Sequence, residues 1–249
     1  ALPPAEPARA VIEAFGCALP EPYLQAMAAA SPAPAWLNLE YLSAEPWVAA
    51  HHGLPSPHPR LPLTKYFFFP GFTPATGGLL REPDYETRRA AFDAGAYRAA
   101  LGLASGQPQD LCVSLFAYEN PGLPALLEAW AGGPQPVRCL VPEGRSLPQL
   151  AAWLGEAELA VGTRRRRGAL EIFVLPFTDQ ERYDHLLWAC DLNFVRGEDS
   201  CVRAQWAAHP MVWQAYPQAD AAHLDKLEAL RALYLLDAPG DVAQAVTGL

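Results

Sequence analysis

The sequence predicts a protein of the α/β class, in which helices pack on parallel sheets, and two observations lead to this prediction. Short apolar segments of strand type alternate along the chain with segments whose apolar residues recur at helical spacing. Many of the 26 prolines fall just outside these segments, where they act as element boundaries. Apolar residues make up 51% of the 249 residues, which is enough to build buried cores.

The first half contains few regular elements. We predict a buried strand over Ala10 to Cys17, a short helix over residues 20–30 and a second strand over residues 35–43. Leu54 to Leu80 reads as a long connection rich in Pro and Gly, whose aromatic residues argue against disorder. A single helix over residues 83–103 and a linker over residues 104–110 follow. Two or three strands are too few for a doubly wound sheet, so we expect an incomplete N-terminal domain.

The second half alternates regularly from Leu111 onward. The predicted elements are a strand at residues 111–120, a helix at 123–133, a strand at 137–144, a helix at 147–155, further segments at 170–177, 183–195, 199–209 and 211–218, and an amphipathic helix at 223–236. This order is typical of a parallel sheet that is covered on both faces.

Charge and composition exclude several functional classes. The net charge of −9 argues against nucleic-acid binding, which needs a dense basic face. No apolar stretch approaches the roughly 20 residues that span a bilayer, and the first residues lack the order of a signal peptide, so we expect no membrane association. The five scattered cysteines argue against disulfides and metal clusters and suit a reducing cytoplasm.

One basic run, Arg164 to Arg167, lies between two strand-like segments and is flanked by Gly162 and Gly168. This context predicts a solvated hairpin tip. The alternative is a docking contact for an acidic partner protein or for phosphate.

Ligands of open parallel sheets collect beyond the carboxyl ends of the strands, so the polar residues there are candidates for a site. They are Ser114, Tyr118, Glu119 and Asn120 after one strand, Phe177 to Gln180 after another, and Arg196 to Ser200 after a third. The sequence contains no G-x-S-x-G, P-loop or G-x-G-x-x-G motif, which disfavours hydrolase, NTPase and dinucleotide-binding functions.

The segment FVRGEDS (194–200) carries the most chemical information. Gly197 permits a tight turn, and Asp199 or Ser200 is placed to cap the following helix, whose N-terminus can bind an anion. Arg196 adds a forked donor for that anion. Glu198 and Asp199 would repel an isolated phosphate but can accept hydrogen bonds from sugar hydroxyls, so the segment favours a nucleotide sugar. An ordinary helix cap with an ion pair remains the alternative.

Aromatic and amide side chains near the same edge fit the base of a nucleotide. Phe116, Tyr118, Phe177 and Tyr183 can stack on a base, and Gln180 can pair with its edge. Some of these rings, Phe116 above all, can instead face the core. His51, His52 and His58 lie near acidic residues, but their spacing matches no helical pair of metal ligands, so we predict no metal site.

Five segments of the chain resemble one family closely. They are WLNLEYLSAEPWV, LPLTKYFFFPGFTPATGGLLRE, SLFAYEN, LPFTDQERYDHLLWACDLNFVRGEDSCVRAQW and MVWQAYPQADAAHLDKLEAL. The family is that of the protein-arginine rhamnosyltransferases that modify bacterial translation elongation factor P, and the match runs in order along nearly the whole chain. The resemblance implies a glycosyltransferase of the GT-B type, with two Rossmann-like domains facing a cleft: residues 1–107 as a partial acceptor-side domain and residues 108–249 as the nucleotide-sugar-binding domain, shortened at its end.

The resemblance also implies an activity and its residues. The enzyme would be inverting and free of metal and cofactor, and it would move L-rhamnose from dTDP-β-L-rhamnose to an arginine of elongation factor P, which activates the factor for ribosomes stalled at polyproline. Arg196, Asp199 and Ser200 would hold the diphosphate and sugar, and Tyr118, Phe177 and Gln180 the thymidine, with Phe116 and Tyr183 as further candidates. Glu198 would be the catalytic carboxylate of this chain, as a support to the reacting sugar rather than as the base.

One departure from the family pattern concerns its first strand. The family carries there a loop of the Asp-Asn-Phe-Gly-Asp type, whose aspartates act as general base and position the acceptor, and this sequence shows no such segment. The alternative function is therefore a nucleotide-sugar-binding fragment without catalysis. A third hypothesis is a scaffold that binds elongation factor P without the donor, with residues 65–72 as a candidate acceptor surface.

Overall fold

The structure is a computed structural model that describes residues 6–103, 110–218 and 221–247. Its backbone contacts divide the chain into two compact units, residues 1–80 with 217–249 and residues 81–216. The boundary predicted after residue 107 and nearly all of the linker predicted at 104–110 lie outside the described residues. In the described part, no helix is both long enough and apolar enough to cross a membrane.

The described residues form ten strands and ten helices. The strands are β1 (Ala10–Ala14), β2 (Ala35–Leu39), β3 (Pro55–Pro57), β4 (Thr64–Phe68), β5 (Leu111–Leu115), β6 (Val137–Pro142), β7 (Arg164–Arg167), β8 (Leu170–Leu175), β9 (Leu192–Arg196) and β10 (Met211–Gln214). The helices are α1 (Glu21–Ala29), α2 (Trp47–His51), α3 (Tyr85–Ala91), α4 (Ala94–Ala100), α5 (Leu123–Gly132), α6 (Leu147–Leu154), α7 (Gln180–Ala189), α8 (Asp199–Ala207), α9 (Ala222–Tyr234) and α10 (Gly240–Thr247). The predicted α/β class is confirmed.

The first unit contains a sheet of order β1-β2-β4-β3, in which β1, β2 and β4 run parallel and β3 is antiparallel to β4. One face of this sheet packs on α1, where Val11 and Trp36 meet Leu24 and Met27. The prediction of a connection without regular structure over residues 54–80 is wrong, because this segment supplies β3 and β4. Its β-branched and aromatic run, residues 64–68, pairs inside the sheet, whereas the two prolines of β3 are tolerated at the edge.

The second unit contains a sheet of order β10-β9-β5-β6-β8-β7, in which all neighbours are parallel except β7 and β8. Leu123 and Leu127 of α5 and Leu150 of α6 pack in one core cluster. Leu186 and Leu187 of α7 pack in a second cluster, together with residues of α3 and α8. Helices thus cover both faces of the sheet, as predicted. Because β5, β6, β8 and β9 run parallel, their carboxyl ends meet at one edge of the sheet.

Two local predictions about this unit are wrong. The single helix expected over residues 83–103 is interrupted at Phe92 and Asp93, because the Asp93 carboxylate accepts a hydrogen bond from the Ala96 N–H and starts a new helix. The four arginines at residues 164–167 form the exposed edge strand β7 rather than a hairpin tip. These arginines adopt an extended conformation along the sheet edge because three of them form ion pairs with glutamates: Arg164–Glu171, Arg165–Glu156 and Arg167–Glu128.

The turn between β7 and β8 yields a prediction about stability. Gly168 has φ +58°, and a Cβ atom added there would lie 2.1 Å from the Ala131 carbonyl oxygen, which accepts a hydrogen bond from the Ala169 N–H. We expect Gly168→Ala to lower the free energy of unfolding by about 2–3 kcal/mol, because the methyl group must displace backbone. Denaturant titration measures this change.

The matched control is Gly162→Ala. Gly162 has φ +84°, but an added Cβ would meet no heavy atom within 4 Å, so only the backbone conformation is penalised. That penalty is about 1 kcal/mol. Equal effects of the two substitutions would contradict the steric argument.

Candidate functional site

The site lies at the edge of the six-stranded sheet where the strands end. A pocket of ≈ 410 Å³ opens there, and its walls come from the segments that follow β5, β6, β8 and β9. The lining residues are Phe116, Pro142, Phe177, Thr178, Asp179, Gln180, Tyr183, Asp199 and Ser200. Six of the nine residues singled out from the sequence therefore share one pocket, although they come from segments far apart in the chain, whereas Tyr118, Arg196 and Glu198 are not among its lining residues.

The turn after β9 is built as the sequence predicts. Gly197 has φ +66°, a conformation that favours glycine. Its carbonyl oxygen accepts a 2.6 Å hydrogen bond from Trp213 Nε1, and its N–H donates to the Gln214 carbonyl oxygen. A Cβ at Gly197 would come within 3.3 Å of the Tyr118 hydroxyl, so glycine also makes room for that ring.

The predicted helix cap at Asp199 or Ser200 is wrong by one or two residues. Glu198 occupies the cap position of α8, and its side chain makes no capping hydrogen bond. Asp199 is the first helical residue, and its carboxylate accepts hydrogen bonds of 3.0 and 3.2 Å from Gln180 Nε2. The helix can start without a side-chain cap because the turn at Gly197 already directs the chain into the helix. The first N–H groups of α8 therefore donate no hydrogen bond to the Glu198 side chain.

Arg196, the last residue of β9, lies beside two of the candidate aromatic rings. Its guanidinium carbon is 4.4 Å from the ring centre of Phe116 and 4.7 Å from that of Tyr118. Among the described residues, Arg196 forms no ion pair with a carboxylate. Stacking on two rings positions a planar cation and leaves its N–H groups available to an anion.

Two hydroxyl groups in the pocket wall are buried without a hydrogen-bond partner. They are Tyr183 Oη and Thr178 Oγ1. The Tyr183 ring packs 5.6 Å from Phe116, and burial raises the pKa of Tyr183. The Ser200 hydroxyl lies near enough to Tyr183 Oη to oppose this rise, but the two do not have the geometry of a hydrogen bond. A tyrosine whose pKa is raised stays protonated at neutral pH and can donate a hydrogen bond. Because an unsatisfied buried hydroxyl is costly, the two groups point to a ligand that supplies their missing partners.

The exposed ring of Phe177 stands at the rim of this pocket, 72% accessible to solvent. An exposed phenylalanine beside a pocket offers a flat apolar face on which a ring can stack. Gln180, at the first position of α7, lines the same pocket.

Three residues proposed from strand ends serve other purposes. Ser114 is fully buried and donates a 2.6 Å hydrogen bond to Asn193 Oδ1, which joins β5 to β9. Glu119 is exposed and lies 4.0 Å from Arg145. The backbone of Asn120 is paired with Gln149 in both directions. These contacts shape the rim and do not line the pocket.

Residues after β10 were missed by sequence reasoning. Gln214 Oε1 accepts a 2.9 Å hydrogen bond from the Tyr118 N–H, and the exposed Tyr216 packs edge-on against the Tyr118 ring at 5.4 Å. The sequence does indicate them, because residues 211–214 have the pattern of a further strand in the same parallel sheet. The residues that follow such a strand must lie at the same sheet edge as the other strand ends. Thr178 was within a proposed segment but was not singled out.

The three histidines of the predicted cluster hydrogen-bond to the backbone instead of facing one another, and His51 Nδ1 donates to the Trp47 carbonyl oxygen. His52 Nδ1 is paired with the Phe69 N–H, and His58 Nδ1 with the N–H groups of Arg60 and Leu61. Over residues 6–103, 110–218 and 221–247, no three His, Cys, Asp or Glu side chains are grouped so that they could hold a metal ion.

Sequence comparison finds relatives that align with nearly the whole chain. The chain is 54% identical over 250 residues to a protein-arginine rhamnosyltransferase of Pseudomonas putida and 51% identical over 246 residues to one of Pseudomonas aeruginosa. These alignments cover 99% and 97% of the chain but 66% and 65% of the relatives. The chain thus spans about two thirds of the length of the relatives that it matches.

A solved structure agrees with the fold. It comes from work on EarP-mediated arginine glycosylation of translation elongation factor EF-P, is 47% identical to the chain, and superposes with a TM-score of 0.65 over 74% of this chain and 59% of the other. The family model described as "Elongation-Factor P (EF-P) rhamnosyltransferase EarP" matches residues 1–249. The chain belongs to this elongation factor P rhamnosyltransferase family.

Proposed function

We propose that residues 81–216 bind dTDP-β-L-rhamnose, and that the whole protein transfers its L-rhamnose to an arginine side chain of elongation factor P in the cytoplasm. The observation that carries the proposal is the pocket at the sheet edge, where two buried hydroxyls lack partners beside an uncapped helix start and a stacked arginine. The names of the relatives support the reaction and the acceptor. No metal or other cofactor is part of this proposal.

The diphosphate is assigned to the wall formed by α8 and Arg196. The backbone N–H groups of the first turn of α8 carry the positive end of the helix dipole, and the Ser200 hydroxyl lines the pocket beside them. Arg196 brings a full positive charge to the same end of β9. Together these groups can compensate the charge of a diphosphate without a cation.

The thymine base is assigned to the wall formed by the segment after β8. Phe177 provides an exposed face for stacking, and Gln180 provides an amide with both a donor and an acceptor. In the structure, the Gln180 amide N–H donates to Asp199, so its carbonyl oxygen is turned away from that carboxylate and can accept from the base. Tyr118 and Phe116 are then held by Arg196 at the side of the sugar and phosphate.

The reaction needs help at both ends of the bond that breaks. A nitrogen of the acceptor guanidinium forms a bond to the anomeric carbon, and the bond from that carbon to the diphosphate oxygen breaks. The nitrogen loses one proton to a carboxylate general base, the role that the family resemblance gives to aspartates. An arginine is a poor nucleophile because its charge is delocalised and its pKa is above about 12. Arg196 and the start of α8 would stabilise the departing diphosphate. Glu198 lies between Arg196 and α8 in the sequence, and it would support the developing charge on the sugar.

Calorimetric titration tests the donor site. The folded chain is titrated with dTDP-β-L-rhamnose, with dTDP and, as a control, with adenosine diphosphate. We expect both thymidine nucleotides to bind, and Glu198→Ala to weaken the sugar nucleotide more than dTDP, because Glu198 is assigned to the sugar. A folded chain that binds neither thymidine nucleotide would overturn the proposal.

Removing the unpartnered hydroxyl of Tyr183 is expected to change stability and binding in opposite directions. Tyr183→Phe keeps the ring contact with Phe116 and deletes a buried polar atom, so the free chain should gain up to about 1 kcal/mol in unfolding free energy. Binding of dTDP should weaken by roughly threefold to tenfold, because one hydrogen bond to the ligand is lost. Denaturant titration and calorimetry measure the two effects, and unchanged binding would remove Tyr183 Oη from the site.

A further inference from the structure

We propose that Arg203, clamped between Asp184 and Glu82, is a positioning residue for the donor pocket. The clamp holds the first turns of α7 and α8 in a fixed register, and it acts on the ligand only through the residues of those turns. This inference rests on the proposed function, because it concerns how the same pocket keeps its shape.

Two side-chain bridges join α7 to α8, and they lie one helical turn apart. We call the bridge at the pocket the outer rung and the other the inner rung. At the pocket, Gln180 of α7 donates to Asp199 of α8. Four residues further along each helix, Asp184 of α7 accepts from Arg203 of α8. Side chains four residues apart lie on the same helix face, so both rungs bridge the same interface. The second rung therefore determines how the residues of the first can sit.

The inner rung is the stronger of the two. Arg203 Nε and Nη2 donate to the two carboxylate oxygens of Asp184 at 2.9 and 2.6 Å, and the exposed fractions of the two side chains are 3% and 0%. The remaining Nη1 donates at 2.7 Å to Glu82, a residue that precedes α3. Such a two-pronged pair permits neither sliding nor rotation of one helix against the other.

Stability alone is a weak reason for this arrangement. Taking an arginine and an aspartate out of water is costly, and burial acts to raise the pKa of Asp184 while Arg203 opposes it. Apolar side chains of similar volume often stabilise such a position as well or better, whereas an ion pair specifies one geometry. The geometry specified here places Asp199 and Ser200 of α8 opposite Gln180 and Tyr183 of α7, which are the pocket walls.

The test is Arg203→Lys, which keeps the charge but loses the forked geometry. The matched control is Arg138→Lys: Arg138 pairs with Asp110 at 3.0 Å with side chains 13% and 11% exposed, near the start of β6 and so away from the strand ends. Both variants are checked for folding by circular dichroism and titrated with dTDP. We expect Arg203→Lys to weaken binding by roughly tenfold and Arg138→Lys to change it by less than about twofold.

A second comparison shows whether Arg203 acts through α8. In a chain that already carries Ser200→Ala, the further change Arg203→Lys should weaken dTDP binding by clearly less than tenfold, because the group that it positions is gone. Glu82→Gln replaces Arg203→Lys if that variant fails to fold, since Glu82 is 42% exposed, and it should weaken binding by roughly threefold.

The outcomes separate the two proposals. Equal dTDP affinity of the wild type, Arg203→Lys and Glu82→Gln would overturn the positioning role and leave the donor site intact. Equal losses in Arg203→Lys and Arg138→Lys would reduce the clamp to general stabilisation and also overturn it. A folded wild type that binds no thymidine nucleotide would overturn the donor site, and the positioning role with it.

Discussion

Arg196→Ala is expected to weaken binding of dTDP to the chain by on the order of 30- to 100-fold, the largest loss for any single side chain of the proposed donor site. The reason is that Arg196 is a full charge at the diphosphate end of the site, held by two aromatic rings and by no carboxylate in the part of the chain that the structure describes. A charge that is already positioned spends little free energy on reorganisation when the anion arrives. Calorimetric titration at fixed ionic strength measures the loss.

The control for Arg196→Ala is Arg145→Ala. Arg145 lies near the same sheet edge and its loss changes the net charge equally, but its side chain is 61% exposed, whereas Arg196 stacks on Phe116 and Tyr118. We expect at most about a twofold change there, since exposed charges are screened. Arg196→Lys should fall between the wild type and Arg196→Ala, because lysine keeps the charge without the fork. Equal effects of Arg196→Ala and Arg145→Ala would mean that only long-range charge matters.

Asp184→Ala is expected to have the largest effect on stability, a loss of about 3 kcal/mol or more in the free energy of unfolding. The substitution leaves the guanidinium of Arg203, only 3% exposed, without the carboxylate that takes two of its hydrogen bonds, and Glu82 can satisfy only the third. An uncompensated buried charge is more costly than the loss of the pair itself. Denaturant unfolding followed by circular dichroism measures the difference.

The double variant Asp184→Leu with Arg203→Met separates these two contributions. It removes both charges and keeps apolar volume, so we expect it to recover most of the stability that Asp184→Ala loses. Asp110→Ala is the control within the same unit and should cost less, because its partner Arg138 retains a path to solvent and a hydrogen bond to the Leu103 carbonyl oxygen. A double variant no more stable than Asp184→Ala would show that the pair, and not the orphaned charge, carries the energy.

The elements that the sequence predicted well are those governed by local rules. The alternation of β5, α5, β6 and α6 follows from apolar periodicity, and the turn at Gly197 follows from the glycine between a strand and a helix. The elements predicted wrongly depend on partners elsewhere. Residues 64–68 become a strand because β2 offers a pairing edge, and residues 164–167 extend along β8 because glutamates from separate segments receive the arginines.

The candidate site shows the same division. The sequence by itself determined which loops surround the candidate pocket, because the strand ends, the glycine turn and the start of the helix can each be recognised within a few residues. Only the tertiary structure decided that Tyr183 and Thr178 are buried without partners, that Tyr216 packs on Tyr118, and that Arg203 joins Asp184 to Glu82. Burial and pairing are properties of contacts between residues as much as 121 positions apart, and no local pattern reports them.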